Sequence, residues 1–147
     1  MATHTSSTVL HCDLQKVRDY LGQTSNLLKT SDPELELEIL NAPEEISEGA
    51  VIDFRISAYG FKQSMQHRYV EVSDQEIVAE QTDGPARAWI HRQSLADNGN
   101  GSCTLTDRID FEPPGGMLGF VMTEAKIRES IEDGMEHRYE VLKEDLE

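Results

Sequence analysis

At Pro113-Pro114-Gly115-Gly116 the hydrophobic period of this chain changes from 2 to about 3.6, and that change limits the architectures open to it. Upstream, apolar and polar residues alternate at strand spacing. Downstream, from Met117 to Glu147, Phe120, Val121, Ala125, Ile131, Met135, Leu142 and Leu146 form one broken helical stripe. A helix of that length spans about 45 Å at 1.5 Å per residue, enough to lie across a whole sheet. Strands first and one long helix last predict an α+β fold: a curved antiparallel β-sheet wrapped around a long C-terminal α-helix, with two short helices after the first strand. A curved sheet and a helix that do not fully interdigitate enclose a cavity.

The two strands before the break carry the strongest functional pattern. In Trp89 to Leu95, Trp89, His91, Gln93 and Leu95 share one face. In Ser102 to Glu112, Cys103, Leu105, Asp107, Ile109 and Phe111 share one face, and Asn98-Gly99-Asn100-Gly101 is the hairpin signal between the strands. A mostly apolar face thus holds a few polar groups, His91, Gln93 and Asp107. A sheet lining a ligand cavity has a use for them that a plain core does not.

The remaining elements follow from the same periodicities. A strand is expected over Thr5 to His11, then a helix over Leu14 to Leu21 started by Asp13 and stopped by Gly22. A second helical piece spans Ser25 to Lys29 and ends before Ser31-Asp32-Pro33. Strands are expected over Glu34 to Leu40, Ala50 to Ala58, Phe61 to Val72 and Glu76 to Asp83. No repeat or interdomain linker interrupts residues 1 to 147, which read as one domain burying roughly 70% of its unfolded surface.

Charge and composition narrow the function classes. The net charge of -15 leaves no basic footprint for nucleic acid and disfavours anionic membrane surfaces. No apolar run approaches the roughly 20 residues of a membrane span. The Thr/Ser-rich start, Met1 to Thr8, lacks the basic and apolar regions of a secretory signal. Cys12 and Cys103 match no metal spacing or redox pair and read as reduced, buried thiols in a cytoplasmic protein. The five histidines make no metal spacing, and no P-loop, dinucleotide glycine motif or nucleophile elbow is present, so neither metal nor cofactor is expected. No interface is legible, which leaves monomer or weak dimer.

Several segments together resemble a known family. Ile77-Val78-Ala79-Glu80-Gln81, Gly84-Pro85, Trp89-Ile90-His91, Thr106 to Phe111, Pro114 to Gly119 and His137-Arg138 are similar, in order and spacing, to the START-like (SRPBCC, polyketide cyclase/dehydrase) superfamily, and most to its small stand-alone bacterial members. The resemblance runs over nearly the whole chain. It implies a helix-grip fold with a hydrophobic cavity, and a family that mostly binds or transports lipids, quinones or polyketides and includes some enzymes. The family commonly reads Trp-x-His-x-His-x-Phe near Trp89, whereas this chain has Gln93 and Leu95 at the last two places. No histidine pair is therefore carried over.

Each candidate has a functional and a structural reading. His91 can exchange a proton with a ligand or simply bond a neighbouring strand. Gln93 and Gln81 can orient a ligand carbonyl or hydroxyl, or pair within the sheet. Asp107, if buried, needs a partner; Arg138 is the first choice and Arg128 the second. His67 shares a face with Gln63, Met65 and Tyr69, which either lines a pocket or meets solvent. Trp89, Met65, Leu105, Ile109, Phe120 and Val121 are the expected apolar wall. The expected function is binding or carriage of a small hydrophobic molecule. An aromatase/cyclase or dehydratase using His91 and Asp107, and an acidic protein-interaction module, are the alternatives.

Overall fold

The computed structural model describes all 147 residues. Seven strands form one antiparallel sheet: β1 (Ala2–Leu10), β2 (Glu38–Asn41), β3 (Val51–Ala58), β4 (Phe61–Val72), β5 (Glu76–Asp83), β6 (Ala88–Asp97) and β7 (Cys103–Glu112). Their order is β1-β7-β6-β5-β4-β3-β2, so the chain leaves one edge after β1, crosses by two short helices, and returns strand by strand. Those helices are α1 (Leu14–Gly22) and α2 (Asn26–Thr30). α3 (Leu118–Val121) and α4 (Glu124–Leu146) follow β7.

The sheet curves because β4 loses register with β5 twice, between Gln66 and His67 and between Tyr69 and Glu71. Each such bulge bends the strand and increases its twist. The concave face carries alternate residues of every strand. In β1 the alternation is complete: Ala2, His4, Ser6, Thr8 and Leu10 are turned inward and the residues between them are exposed. The β6–β7 turn uses Gly99 and Gly101 at φ +79° and +81°, the conformation that asparagine-glycine pairs supply.

Two expectations need correction. The strand expected over Glu34 to Leu40 is only its second half, β2. Asp32 accepts a hydrogen bond from the Glu34 backbone N–H and Pro33 fixes φ, so Pro33–Leu35 coils into a 3₁₀ turn. The single helix expected from Met117 is two. Met122 leaves the helical conformation, and Thr123 restarts it by accepting from the Lys126 N–H at 3.3 Å, with Glu124 in the favourable first turn.

α4 lies on the concave face and presents Ile127, Ile131, Arg138, Leu142 and Leu146 to it at helical spacing. Its C-terminal half packs directly on the sheet: Leu142 and Leu146 join Leu10, Val17, Leu95, Cys103 and Leu105 in one dense cluster. Cys12 packs against this cluster as well, and both cysteines are free thiols. Burial raises both, Cys103 to about 11, so they behave as small apolar side chains. The N-terminal half of α4 packs Ile127 and Ile131 against Ile109 and Phe111 of β7. No helix is long and apolar enough to cross a membrane.

Candidate functional site

Between that N-terminal half and the concave sheet lies a cavity of about 320 Å³. Ile52, Phe54 and Ile56 of β3 reach it because they share one face of the strand, while Asp53 and Arg55 bond Gln66 and Glu38 on the other. Met65, His67 and Tyr69 of β4 face it from the opposite rungs. Trp89 and Ile109 form the floor, and Trp89 leans on Phe111 with ring centroids 6.1 Å apart. Ile127, Ile131, Gly134 and Met135 form the roof on α4. α2 and the segment after it close the side, and His137 Nε2 donates to the Lys29 carbonyl at 3.0 Å to tie α2 to α4.

One end of this apolar chamber is polar. Asp107, 1% exposed, lies just behind the wall and its carboxylate accepts three hydrogen bonds. His91 Nε2 is 2.7 Å from Oδ1; Arg138 Nε donates to Oδ2 at 3.2 Å and the Tyr139 hydroxyl to Oδ2 at 2.9 Å. Burial alone would raise Asp107, but the Arg138 guanidinium, aided by His91 and Tyr139, outweighs it and holds the carboxyl well below the usual range. An ionised carboxylate only accepts, so His91 carries its proton on Nε2. Its Nδ1 is left with no protein partner. The Tyr139 proton is committed to Asp107, so Ser6 Oγ, 3.0 Å away, donates to the Tyr139 oxygen. Arg138 Nη2 in turn donates to Gln93 Oε1 at 2.6 Å.

His67 is the second ring at this end. Burial, with His91 nearby, pushes it down to about 4, so it is neutral at ordinary pH. Phe54 meets it edge-on with centroids 4.7 Å apart. Burial also raises Tyr69, against the opposing pull of Arg138. Gln81 lines the wall, but its amide N–H donates to the Ala86 carbonyl at 2.7 Å and fixes the β5–β6 connection. A β-carbon at Gly84 would collide with Gln81 Oε1, which is why glycine stands there.

The expected residues thus divide. Trp89, His91, Gln93, Gln81, Met65, His67 and Ile109 lie on the cavity wall. Leu105 does not: it sits opposite Leu95, at the end where α4 packs onto the sheet, and is sealed in the dense cluster. Phe120 and Val121 do not either, because α3 turns away from the axis of α4; Phe120 is 81% exposed. Asp107 touches the cavity only through His91 and Arg138. Arg138 is its partner, whereas Arg128 donates to the Thr3 carbonyl and lies over the Phe111 ring. Arg138 and Phe54 were missed as wall residues, whereas Tyr69 is on the face with His67 expected either to line a pocket or to meet solvent. For Arg138 a signal existed: it falls seven residues after Ile131 and four before Leu142, a charge on the apolar stripe.

An outer depression flanks the β3–β4 turn. It shares Leu35, Ala58, Tyr59 and Ser130 with the cavity wall, so these residues separate the chamber from solvent. The Tyr59 hydroxyl and Ser130 Oγ, 3.0 Å apart, close that wall.

No protein-family model and no curated sequence matches the chain. Solved structures do. A protein from Chromobacterium violaceum superposes with a TM-score of 0.75 at 17% identity, over 98% of this chain and 96% of that one. A START superfamily protein from Mycobacterium smegmatis superposes at 0.73 and 12% identity, over 98% and 96%. The Zhui aromatase/cyclase from a Streptomyces superposes at 0.69 and 15% identity, over 95% and 87%. The chain therefore has the START-like (SRPBCC) helix-grip fold.

Proposed function

We propose that this protein binds and carries a small, mostly apolar molecule in the chamber under α4. One observation carries the reading: a partly open cavity with a mostly apolar wall and a buried polar cluster at one end, at the lower edge of the roughly 300–1,000 Å³ typical of ligand sites. Gly134 supplies the test. It lines the roof, and a β-carbon there meets nothing within 4 Å, so Gly134→Phe fills the chamber without displacing a neighbour at its base. Trp89, the sole tryptophan, reports from the floor. Titration with an apolar fluorescence quencher of ligand size should change Trp89 emission saturably in the wild type and not in folded Gly134→Phe. Equal saturable responses in both would remove the chamber as the binding site.

A second reading is proton-transfer chemistry on the bound molecule. The observation in its favour is the 2.7 Å His91–Asp107 pair, which orients the ring and leaves Nδ1 free as a base. The Streptomyces neighbour is named as an aromatase/cyclase. His91→Gln should then lose turnover of a cyclisable poly-β-ketone substrate while retaining its binding; a fully active variant removes the reading.

A further inference from the structure

The polar end of the chamber is richer in donors than a hydrocarbon or a neutral carbonyl compound can use. Arg138 is nine-tenths buried on its side chain and lines the cavity, yet only two of its five N–H groups are engaged, by Asp107 and Gln93. Asp107 takes only the Nε hydrogen, because its two oxygens also accept from His91 and Tyr139. The carboxylate charge is thus spread over three donors, and the free edge of the guanidinium is left under-compensated. Tyr69 lines the same cavity with no hydrogen-bond partner for its hydroxyl, and the acceptors beside these donors are the ring nitrogens of His91 and His67.

We infer that the cavity ligand carries an acidic oxygen head, a carboxylic acid or an acidic phenol, and enters head first with that group against Arg138 and His91. This rests on the carrier reading above and names the chemistry of its ligand. A carboxyl group satisfies both sides of the site: its oxygens accept from the free guanidinium edge, and its proton lies between one oxygen and His91 Nδ1. An amine would place a second cation beside Arg138. An ester or ketone offers acceptors but nothing for Nδ1. The about 320 Å³ chamber limits the apolar remainder to a medium chain or a small ring system.

The test is a matched series with one tail and three heads: decanoic acid, 1-decanol and methyl decanoate, titrated at pH 7 by calorimetry. The acid should bind at least tenfold more tightly than the methyl ester, with the alcohol between them. That advantage should vanish in the paired variant Asp107→Asn/Arg138→Gln, which removes both charges but keeps hydrogen-bonding groups. Comparable affinities for acid and ester in the wild type would overturn the head-group inference and leave the carrier reading standing. An acid preference that persists in the paired variant, or in Gly134→Phe, would place the head elsewhere and overturn it too. Binding of none of the three would overturn both readings.

Discussion

Buried histidine and buried charge both favour the fold at higher pH, each in its own window. His67 drops from the ordinary 6.5 to about 4, burial being the main cause. Between those values the unfolded chain holds a proton at His67 that the folded chain excludes, so stability falls as pH falls, by at most about 1.4 kcal/mol per unit. From pH 7 to pH 5 the wild type should lose about 2 kcal/mol relative to His67→Phe, read from urea midpoints. Parallel pH profiles would mean that the ring reaches water. Asp107 has the same sign in a more acidic window: its depressed carboxyl stabilises the fold above the ordinary carboxylate range, and that contribution is lost as pH falls through and below that range. Arg138→Gln alone leaves that anion buried with its main partner gone and should cost about 3–5 kcal/mol. Adding Asp107→Asn should cost less than the two singles summed, because the residues form one network. Strict additivity of the melting free energies would contradict the pairing.

At the scale of elements, α4 does two jobs with two halves. Leu142 is fully buried in the dense cluster, so Leu142→Ala should cost about 2–5 kcal/mol. Gly134 faces the chamber, so Gly134→Ala should stabilise by up to about 1 kcal/mol, since only helix propensity changes there. Denaturant titration separates the two, and a destabilised Gly134→Ala would mean that the roof is packed. This division was only partly legible in the sequence. Periodicity placed β4 and β5 at Phe61–Val72 and Glu76–Asp83 and showed which residues share a face. It could not show where along the helix the sheet bends away, because the bulges at Gln66 and Tyr69 come from register between strands. Leu105 and Ile109 share one face of β7, yet one is core and the other cavity floor. Thr123 and Asp32 were readable as capping groups, but the apolar stripe from Phe120 and the alternation from Leu35 concealed them.

For the whole molecule, a curved sheet and a helix that packs on its β1–β7 side leave a mostly apolar chamber. Its buried polar cluster is held by Asp107, a residue outside the wall. The surplus of acidic groups lies elsewhere: Glu129, Glu132, Asp133, Glu136 and Glu140 occupy the exposed side of α4. Ligand recognition is therefore assigned to the interior and not to the surface charge. The most direct measurement is native mass spectrometry of the protein after exposure to a lipid and metabolite extract of its host, beside folded Gly134→Phe. A discrete, stoichiometric adduct on the wild type alone is the predicted result. The same adduct on both proteins, or none on the wild type, would contradict the chamber as a binding site.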